Sequence, residues 1–195
     1  MRIAVTLSML VLLMGFRSSV ADSMPTQDAG AVASFQEALA ATGAVKGPPQ
    51  GTFEEKEAIK RFERFLGNLD EKTAREETEA VYAPNAFLND TLKTIHGSPA
   101  IRDYFIRTAR GLKSMKVTFD DVAVSGQNYY FRWTMETKMK NLAPGRTVRT
   151  IGVTLIRFDR EGRVVLHQDF WDSAQGVWEH VPVMGSVLRW IRSKI

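Results

Sequence analysis

The sequence contains no cysteine among its 195 residues. Disulfide frameworks, thiolate metal sites, a thiol nucleophile and a lipoprotein anchor through cysteine are therefore excluded. Stability must come from packing, and a composition of 44% hydrophobic and 25% charged residues is ordinary for a globular protein. The length favours a single packed core.

No strong excess of one charge sign marks the chain. The formal net charge is +4, from 26 basic and 22 acidic residues. Two of the basic residues, Arg2 and Arg17, lie in an N-terminal stretch without acids, so the charge of the remainder is nearly balanced. No basic stripe alternates with stacking aromatic residues, and nucleic acid is therefore not an expected partner.

The apolar stretch at residues 3–16 is too short to span a bilayer comfortably. It follows Arg2, and the small residues Ser19 and Ala21 suit cleavage by signal peptidase before Asp22. The sequence thus predicts a signal peptide and a periplasmic or secreted protein with no stable membrane span after cleavage.

Two alternatives to cleavage remain open for residues 1–21: an uncleaved anchor, or a true start at Met24 that would give a cytoplasmic protein. Residues 22–51 are rich in alanine, glycine, serine, glutamine and proline and include one short helical possibility at residues 32–41. They are predicted to form a flexible linker. Residues 52–195 are predicted to form the folded domain.

Hydrophobic periodicity divides this domain into helices followed by strands. Apolar residues at helical spacing predict helices over residues 53–69, 73–82 and 99–110. Alternating patterns predict a short strand and then four long strands, at residues 86–89, 116–124, 129–139, 147–158 and 163–171. Short connections between the long strands indicate an antiparallel meander.

The last segment, residues 177–195, returns to helical spacing and ends with basic residues. We expect its apolar stripe to cover the sheet or close the cone of the predicted fold. Trp178 and Trp190, together with the basic residues, leave open the alternative of a helix lying on a membrane surface.

This order of elements predicts an α+β fold. A cone-shaped, curved, antiparallel-rich sheet would wrap around three helices, with an extra C-terminal helix, because long strands in a small sheet must curl. The apolar interior of such a cone can hold a small ligand.

Strand parity predicts which side chains face that interior. Phe131, Trp133 and Met135 share one face of their strand and form the natural inner side, whereas Arg132 and Glu136 share the opposite face. The last two would point outward, unless the outer face is a dimer interface and both faces are covered.

Three segments resemble a known superfamily: YAPNAFLND at residues 82–90, HGSPAI at 96–101 and GRVVLHQDFWD at 162–172. With the order of elements over residues 53–195, they resemble the SnoaL-like, nuclear-transport-factor-2-like superfamily, which includes ketosteroid isomerases and limonene-epoxide hydrolases. The resemblance implies the cone fold. It does not fix the function, because this fold hosts isomerases, hydrolases, cyclases, transport adaptors and binding domains.

Resemblance to the ketosteroid isomerases places Asp90 where those enzymes have a general base. Their oxyanion hole uses a tyrosine and a protonated aspartate, and the aligned positions here hold Phe62 and Thr154. Phe62 cannot donate a hydrogen bond, so an important stabilising interaction would be lost. Isomerase chemistry of that kind is disfavoured.

Resemblance to the limonene-epoxide hydrolases places Asp169 at the water-activating aspartate and Asp90 at a water-binding asparagine. That family's water-binding tyrosine is replaced by Leu88. Its acid could correspond to Glu136, but a threonine occupies the position of its arginine, with Arg132 the nearest substitute. The relay of that family is therefore incomplete.

The candidate catalytic residues are Asp169, Asp90 and His167. On the last strand Val165, His167, Asp169 and Trp171 are predicted to share the inner face, where burial and a neighbouring imidazole suit acid/base chemistry. The alternative is structural, since a buried aspartate often only accepts hydrogen bonds. The expected ligand-binding residues are Trp133, Trp171, Tyr104, Thr154 and Phe62. No metal or cofactor is expected, because His167 and Asp169 supply only two ligands.

Two classes of function remain open at this point, with a third possibility beside them. The domain could hold a small hydrophobic molecule, with no reaction, or act on such a molecule as a general acid/base enzyme by isomerisation or water addition. It could also be a non-catalytic homodimeric adaptor that uses its outer sheet face. A hydrogen-bond donor beside Asp169 would favour the enzyme.

Overall fold

A computed structural model describes residues 27–143 and 145–195. The predicted signal peptide, its cleavage site and the alternative start at Met24 lie outside the described residues. None of the helices in the described ranges combines the length and the apolar character of a membrane span. One compact unit comprises residues 34–195.

The helices that precede the long strands begin and end within a few residues of their predicted bounds. The helices are α1 (Gln27–Ala41), α2 (Phe53–Gly67), α3 (Glu71–Val81), α4 (Ser98–Gly111), α5 (Ser173–Gly176) and α6 (Met184–Arg192), with a 3-10 turn at Trp178–His180. Thr52 caps α2 by accepting a hydrogen bond from the Glu55 amide, and Asp70 caps α3. Before α4 the chain turns at Gly97, whose φ of 84° suits glycine.

The six strands form one sheet in the order β2-β1-β6-β5-β4-β3. The strands are β1 (Tyr82–Asn89), β2 (Thr94–His96), β3 (Leu112–Ser125), β4 (Asn128–Met139), β5 (Val148–Phe158) and β6 (Val164–Trp171). Strands β3 to β6 pair antiparallel as predicted, whereas β1 pairs parallel with β6. This curved, unclosed sheet with helices on its inner face confirms the predicted α+β cone fold.

The main core lies between the inner face of the sheet and helices α2, α3 and α4. Its fully buried members include Phe62 and Phe65 from α2, Ile101 from α4, and Phe131 and Ile156 from the sheet. Burial of large side chains at this density is the principal source of stability in a chain without disulfides.

A bulge reverses the parity of β6 near its start. Arg157 pairs with Leu166 and Phe158 with Val164, so Val165 is left without a pairing partner on β5. Val165 lies beside Ala38 on the outer side instead. The expectation that Val165 shares the inner face with His167 was therefore wrong, because the alternation was counted without the bulge.

The outer face carries part of the segment predicted to be a linker. Phe35, Ala38 and Leu39 of α1 pack against Phe87, Leu155 and Leu166 of the sheet. Arg157 adds hydrogen bonds to the Leu39 carbonyl at 2.8 Å and to Thr42 Oγ1 at 3.0 Å. A flexible linker is therefore the wrong description from Ser34 onward, because apolar alanine-rich sequence there covers an apolar sheet face.

The predicted single helix over residues 177–195 is broken into the 3-10 turn and α6. Pro182 has no amide hydrogen to donate, and Val181 before it is extended, with φ −76° and ψ 128°. Val183 then adopts a positive φ of 69°. The apolar spacing was correct, but the proline interrupts the helix that it indicated.

Candidate functional site

A cavity of about 190 Å³ opens between the inner face of the sheet and helices α2 and α4. Most of its lining is apolar, including Leu66, Met115, Phe119, Met135 and Met139. Against this background a small set of polar residues faces the same space: Asp90, Tyr104, Thr154, His167 and Asp169. An apolar pocket with a few convergent polar groups is the usual form of a small-molecule site.

His167 links a buried tyrosine to Asp169. Its Nδ1 lies 2.8 Å from Tyr82 Oη, and its Nε2 lies 2.9 Å from Asp169 Oδ1. Burial, and then the charge of Asp169, raise the pKa of Tyr82 well above its ordinary value, so the phenol stays protonated. An ionised carboxylate can only accept, so we assign the Nε2 proton to the bond with Asp169 and Nδ1 as acceptor from Tyr82.

A second chain of hydrogen bonds reaches the same carboxylate oxygen. Thr154 Oγ1 donates to Asp169 Oδ1 at 2.5 Å, and Trp133 Nε1 donates to Thr154 Oγ1 at 2.8 Å. The pairing of β5 with β6 places Thr154 directly opposite Asp169. Within the described chain Oδ2 of Asp169 has no hydrogen-bond partner, and it belongs to a side chain that lines the cavity.

Asp90 follows the last residue of β1, and β1 runs parallel beside β6. Its Oδ1 accepts from the amides of Leu92 at 3.0 Å and Lys93 at 2.8 Å, and Tyr104 donates to its Oδ2. Burial, the largest effect, raises the pKa of Asp90; its hydrogen bonds oppose the shift, and the charge of Asp169 adds to it. The two carboxyl groups therefore differ in environment within one cavity.

The raised pKa of Asp90 predicts a pH-dependent stability. The native state binds this proton more tightly than the unfolded chain, so Asp90 costs stability as pH rises from its ordinary value of 3.8 through the raised pKa. We expect Asp90→Asn to gain stability relative to the unaltered chain over that window, and no such gain below it. Urea unfolding at a series of pH values measures the difference in the free energy of unfolding between the two chains. If that difference in stability does not change with pH, the raised pKa of Asp90 is contradicted.

Two glycines make room for the indole rings beside the cavity. A Cβ on Gly152 would lie 2.4 Å from Trp133 Cζ2 and 2.9 Å from Trp171 Cβ. A Cβ on Gly176 would lie 2.2 Å from Trp171 Cζ3. The indole of Trp171 is further fixed by donating from Nε1 to the Asp90 carbonyl at 2.8 Å.

Gly152→Ala is therefore expected to displace both indole rings and to lower the free energy of unfolding by about 1–3 kcal/mol. Denaturant unfolding measures the loss. Gly111→Ala is the matched control, because a Cβ at Gly111 meets no atom within 4 Å, and it should be neutral or slightly stabilising. Equal stability of the two variants would show that the indole packing is not tight at Gly152.

The structure brings together seven of the eight residues predicted for the site. Those that line the cavity are Asp90, Tyr104, Trp133, Thr154, His167, Asp169 and Trp171. Phe62 does not line it: its side chain is fully buried and packs on Phe131 at 4.8 Å between ring centroids. Assigning Phe62 to ligand binding was wrong, because its helical position points it into the main core.

The outward orientation of Arg132 and Glu136 is confirmed. Arg132 pairs with Asp121 at 2.8 Å, and Glu136 pairs with Arg149 at 3.4 Å, all on exposed side chains. Neither residue faces the cavity, so the acid and arginine of an epoxide-hydrolase relay are not supplied by these positions.

Sequence reasoning missed Tyr82 and Thr150. The first strand was predicted to begin only at residue 86, which left Tyr82 at the end of a helix. Thr150 lines the cavity, and its buried Oγ1 has no hydrogen-bond partner in the described chain. Its place on the inner face could have been found from its even spacing with Thr154 along β5. Among the described residues, no group of three metal-binding side chains converges.

Solved structures from three bacteria share this fold. An LEH-like epoxide hydrolase from M. tuberculosis has 18% identity and a TM-score of 0.53, over 70% of this chain and 98% of that one. An NTF2-like protein of unknown function from Exiguobacterium sp. 255-15 has 15% identity and a TM-score of 0.51, over 59% and 98%. A protein with a ketosteroid isomerase-like fold from Catenulispora acidiphila, in complex with trimethylamine, has 16% identity and a TM-score of 0.52, over 64% and 91%.

At such identity these likenesses show the fold and not the reaction. Among curated proteins none matches this sequence. The SnoaL-like domain family, in contrast, matches residues 62–167. That match runs from Phe62 within α2 to His167 within β6, and it covers more than half of the sequence. The chain therefore belongs to the SnoaL-like domain family.

Proposed function

We propose that this domain binds a small, mainly apolar molecule in its cavity and performs general acid/base chemistry on it. Asp169 acts as the base. The observation that supports this most strongly is that only one of its two carboxylate oxygens is hydrogen-bonded within the described chain. Oδ1 accepts hydrogen bonds from His167 and Thr154, whereas Oδ2 has no partner in the described chain and is available to a bound molecule. A base held in one orientation within an apolar cavity is suited to proton transfer.

Asp90 acts as the acid partner. Burial and the neighbouring charge of Asp169 raise the pKa of Asp90 and favour its protonated form. Tyr104 donates a hydrogen bond to Oδ2 of the same carboxyl group. Two carboxyl groups whose environments differ in this way can take opposite roles in one reaction.

The size and lining of the cavity restrict the substrate. A cavity of about 150 Å³ is known to hold benzene, so 190 Å³ suits a single ring or a short branched hydrocarbon. With Leu66, Phe119 and Met135 around it, the substrate should be mainly apolar and carry one oxygen atom near the carboxyl groups. A steroid-sized molecule exceeds this volume.

Two seven-heavy-atom probes test the proposal and separate its two reactions. With cyclohexanone in deuterated water, Asp169 would remove an α-proton while Asp90 protonates the carbonyl oxygen, so that reversal with solvent exchange introduces deuterium. With cyclohexene oxide, Asp169 would take a proton from the attacking water while Asp90 protonates the epoxide oxygen, giving a vicinal diol. NMR follows both products. If both probes bind to saturation and neither reaction is accelerated, the catalytic proposal is contradicted.

Binding without turnover is the second candidate, and one observation favours it. The indole and phenol donors around the cavity are already engaged: Trp133 with Thr154, Tyr104 with Asp90, and Trp171 with the Asp90 carbonyl. A protonated Asp90 and the hydroxyl of Thr150 are then left to stabilise a developing oxyanion. Mass spectrometry of molecules retained on the native protein would support this candidate if an unaltered apolar ligand is found and both probes bind without reacting.

We also propose a homodimer through the outer face of the sheet. Ile151 on β5 is 71% exposed there, and Phe170 on β6 is 48% exposed. Neighbouring apolar side chains on an exposed sheet face suit burial against a second copy. Ile151→Glu should weaken dimerisation at least about tenfold in sedimentation equilibrium. Phe53→Glu, at an exposed position of α2, should leave it unchanged. A monomeric unaltered chain would contradict the dimer.

A further inference from the structure

The C-terminal segment presents an apolar surface to solvent. We call this surface the α6 face, and its members are Trp178, Val183, Met184, Val187, Trp190, Ile191 and Ile195. Exposure reaches 79% at Val183 and 63% at Trp190. This reverses the expectation that the apolar stripe would cover the sheet or close the cone.

The cause is the orientation of α6. Gly185, its only buried residue, lies against the backbone of Glu179, where a Cβ would be 2.0 Å from the Glu179 carbonyl oxygen. Arg189 and Arg192, one and two turns further on, share this side, and Arg192 pairs with Glu179 and Asp172. The helix thus packs through glycine and arginine, and its apolar side chains are turned outward apart from the half-buried Leu188.

From this inverted packing, we propose that the α6 face docks on the surface of an anionic lipid bilayer. A short helix with two tryptophans nearby and basic flanks is typical of segments that lie in the membrane interface. Residues 184–195 contain three basic residues and no acidic one. Lys194 forms no ion pair in the described chain, so its charge is available to anionic headgroups. Arg189 lies on the side that packs against Glu179, and the charge of Arg192 is offset by Glu179 and Asp172.

A second copy of the chain fits this face less well. A helix of nine residues is about 13 Å long, and a stable dimer buries about 800 Å² on each partner. One face of such a helix is too small for that area. A bilayer requires no complementary shape and supplies the opposite charge.

The position of the face gives docking a consequence that rests on the proposed function. Gly176 and Val177, which line the cavity, directly precede the 3-10 turn that carries Trp178. Docking would therefore bring this side of the cavity close to the membrane, where apolar molecules are concentrated. The docking itself does not depend on catalysis, and its test uses no substrate.

Tryptophan fluorescence provides the test in the full-length chain. The four tryptophans are Trp133, Trp171, Trp178 and Trp190, so the apolar N-terminal stretch contributes no signal. Vesicles of phosphatidylcholine and phosphatidylglycerol with brominated acyl chains should quench the emission of the unaltered chain. Trp190→Phe should lose part of this quenching while remaining bound, because Trp178 on the same face is still quenched. Trp190→Ser should weaken the affinity obtained from the quenching about tenfold, whereas Phe53→Ser, also at an exposed aromatic residue, should not.

Four outcomes would overturn docking. The first is unquenched emission at saturating vesicle concentration. The second is equal quenching of the unaltered chain and Trp190→Phe. The third is equal quenching by vesicles of phosphatidylcholine alone, without the anionic lipid. The fourth is a lipid-independent dimer that Trp190→Ser dissociates in sedimentation equilibrium, which would assign the face to a second copy. Thermal unfolding of each variant should match the unaltered chain, because the replaced side chains are exposed.

Discussion

Asp169→Asn is expected to lower the rate of probe turnover about 10²- to 10⁴-fold, the usual contribution of a positioned general base. The amide has no basic oxygen, so neither the α-proton of cyclohexanone nor the proton of an attacking water can be accepted. The amide oxygen can still accept from His167 and Thr154, as Oδ1 does now. Binding of the probe and the free energy of unfolding should therefore change little.

Asp121→Asn is the matched control for the loss of one negative charge. Asp121 lies on the exposed side of β3, where it pairs with Arg132. Turnover in this variant should equal that of the unaltered chain. Unfolding of Asp169→Asn at room temperature would assign Asp169 to structure, and full turnover in that variant would show that it is not the base.

Phe62→Ala is expected to have the largest effect on stability, a loss of about 3–5 kcal/mol in the free energy of unfolding. Phe62 is fully buried, with Phe131 at 4.8 Å, Phe119 at 6.0 Å and the His167 ring at 5.7 Å between centroids. Truncation leaves a void among rings that cannot close it. Urea unfolding measures the loss.

Phe53→Ala serves as the control, because the same residue type at 70% exposure on the same helix should cost little. If both variants lose the same small amount, the core around Phe62 is not closely packed. A selective loss of ligand affinity in Phe62→Ala, with stability retained, would restore its predicted role in binding.

Much of the candidate site follows from strand alternation and could be predicted from the sequence. The inner position of Trp133 and the outer positions of Arg132 and Glu136 depend only on the two-residue period of β4, which has no irregularity in its pairing with β5. Asp169 was placed inside by its resemblance to a family strand, and the register of β6 on β5 agrees with that placement.

The errors occur where a local feature interrupts a period. One extra residue at Val165 reverses its face, and a proline at Pro182 breaks a helix whose apolar spacing continues on both sides. The inverted orientation of α6 depends on contacts with Glu179 across the turn, and the spacing of apolar residues does not reveal such contacts. Likewise, the packing of α1 on the sheet depends on an apolar outer face formed by distant strands.

The periodicity of helices and strands shows which residues face inward, but not how deeply each one is buried. Phe62 and Tyr104 both lie on the inner sides of their helices, but only Tyr104 reaches the cavity. The difference is set by how neighbouring rings fill the core around Phe62. That filling is a property of the three-dimensional packing and not of the residue type.

A crystal structure with cyclohexanone bound would test most directly whether two carboxyl groups flank an apolar space that admits a small molecule. We expect one cyclohexanone in the cavity, its oxygen within hydrogen-bonding distance of Asp90 and an α-carbon facing Oδ2 of Asp169. A cavity filled by protein side chains, or both carboxyl groups turned to bulk solvent with cyclohexanone elsewhere, would contradict it.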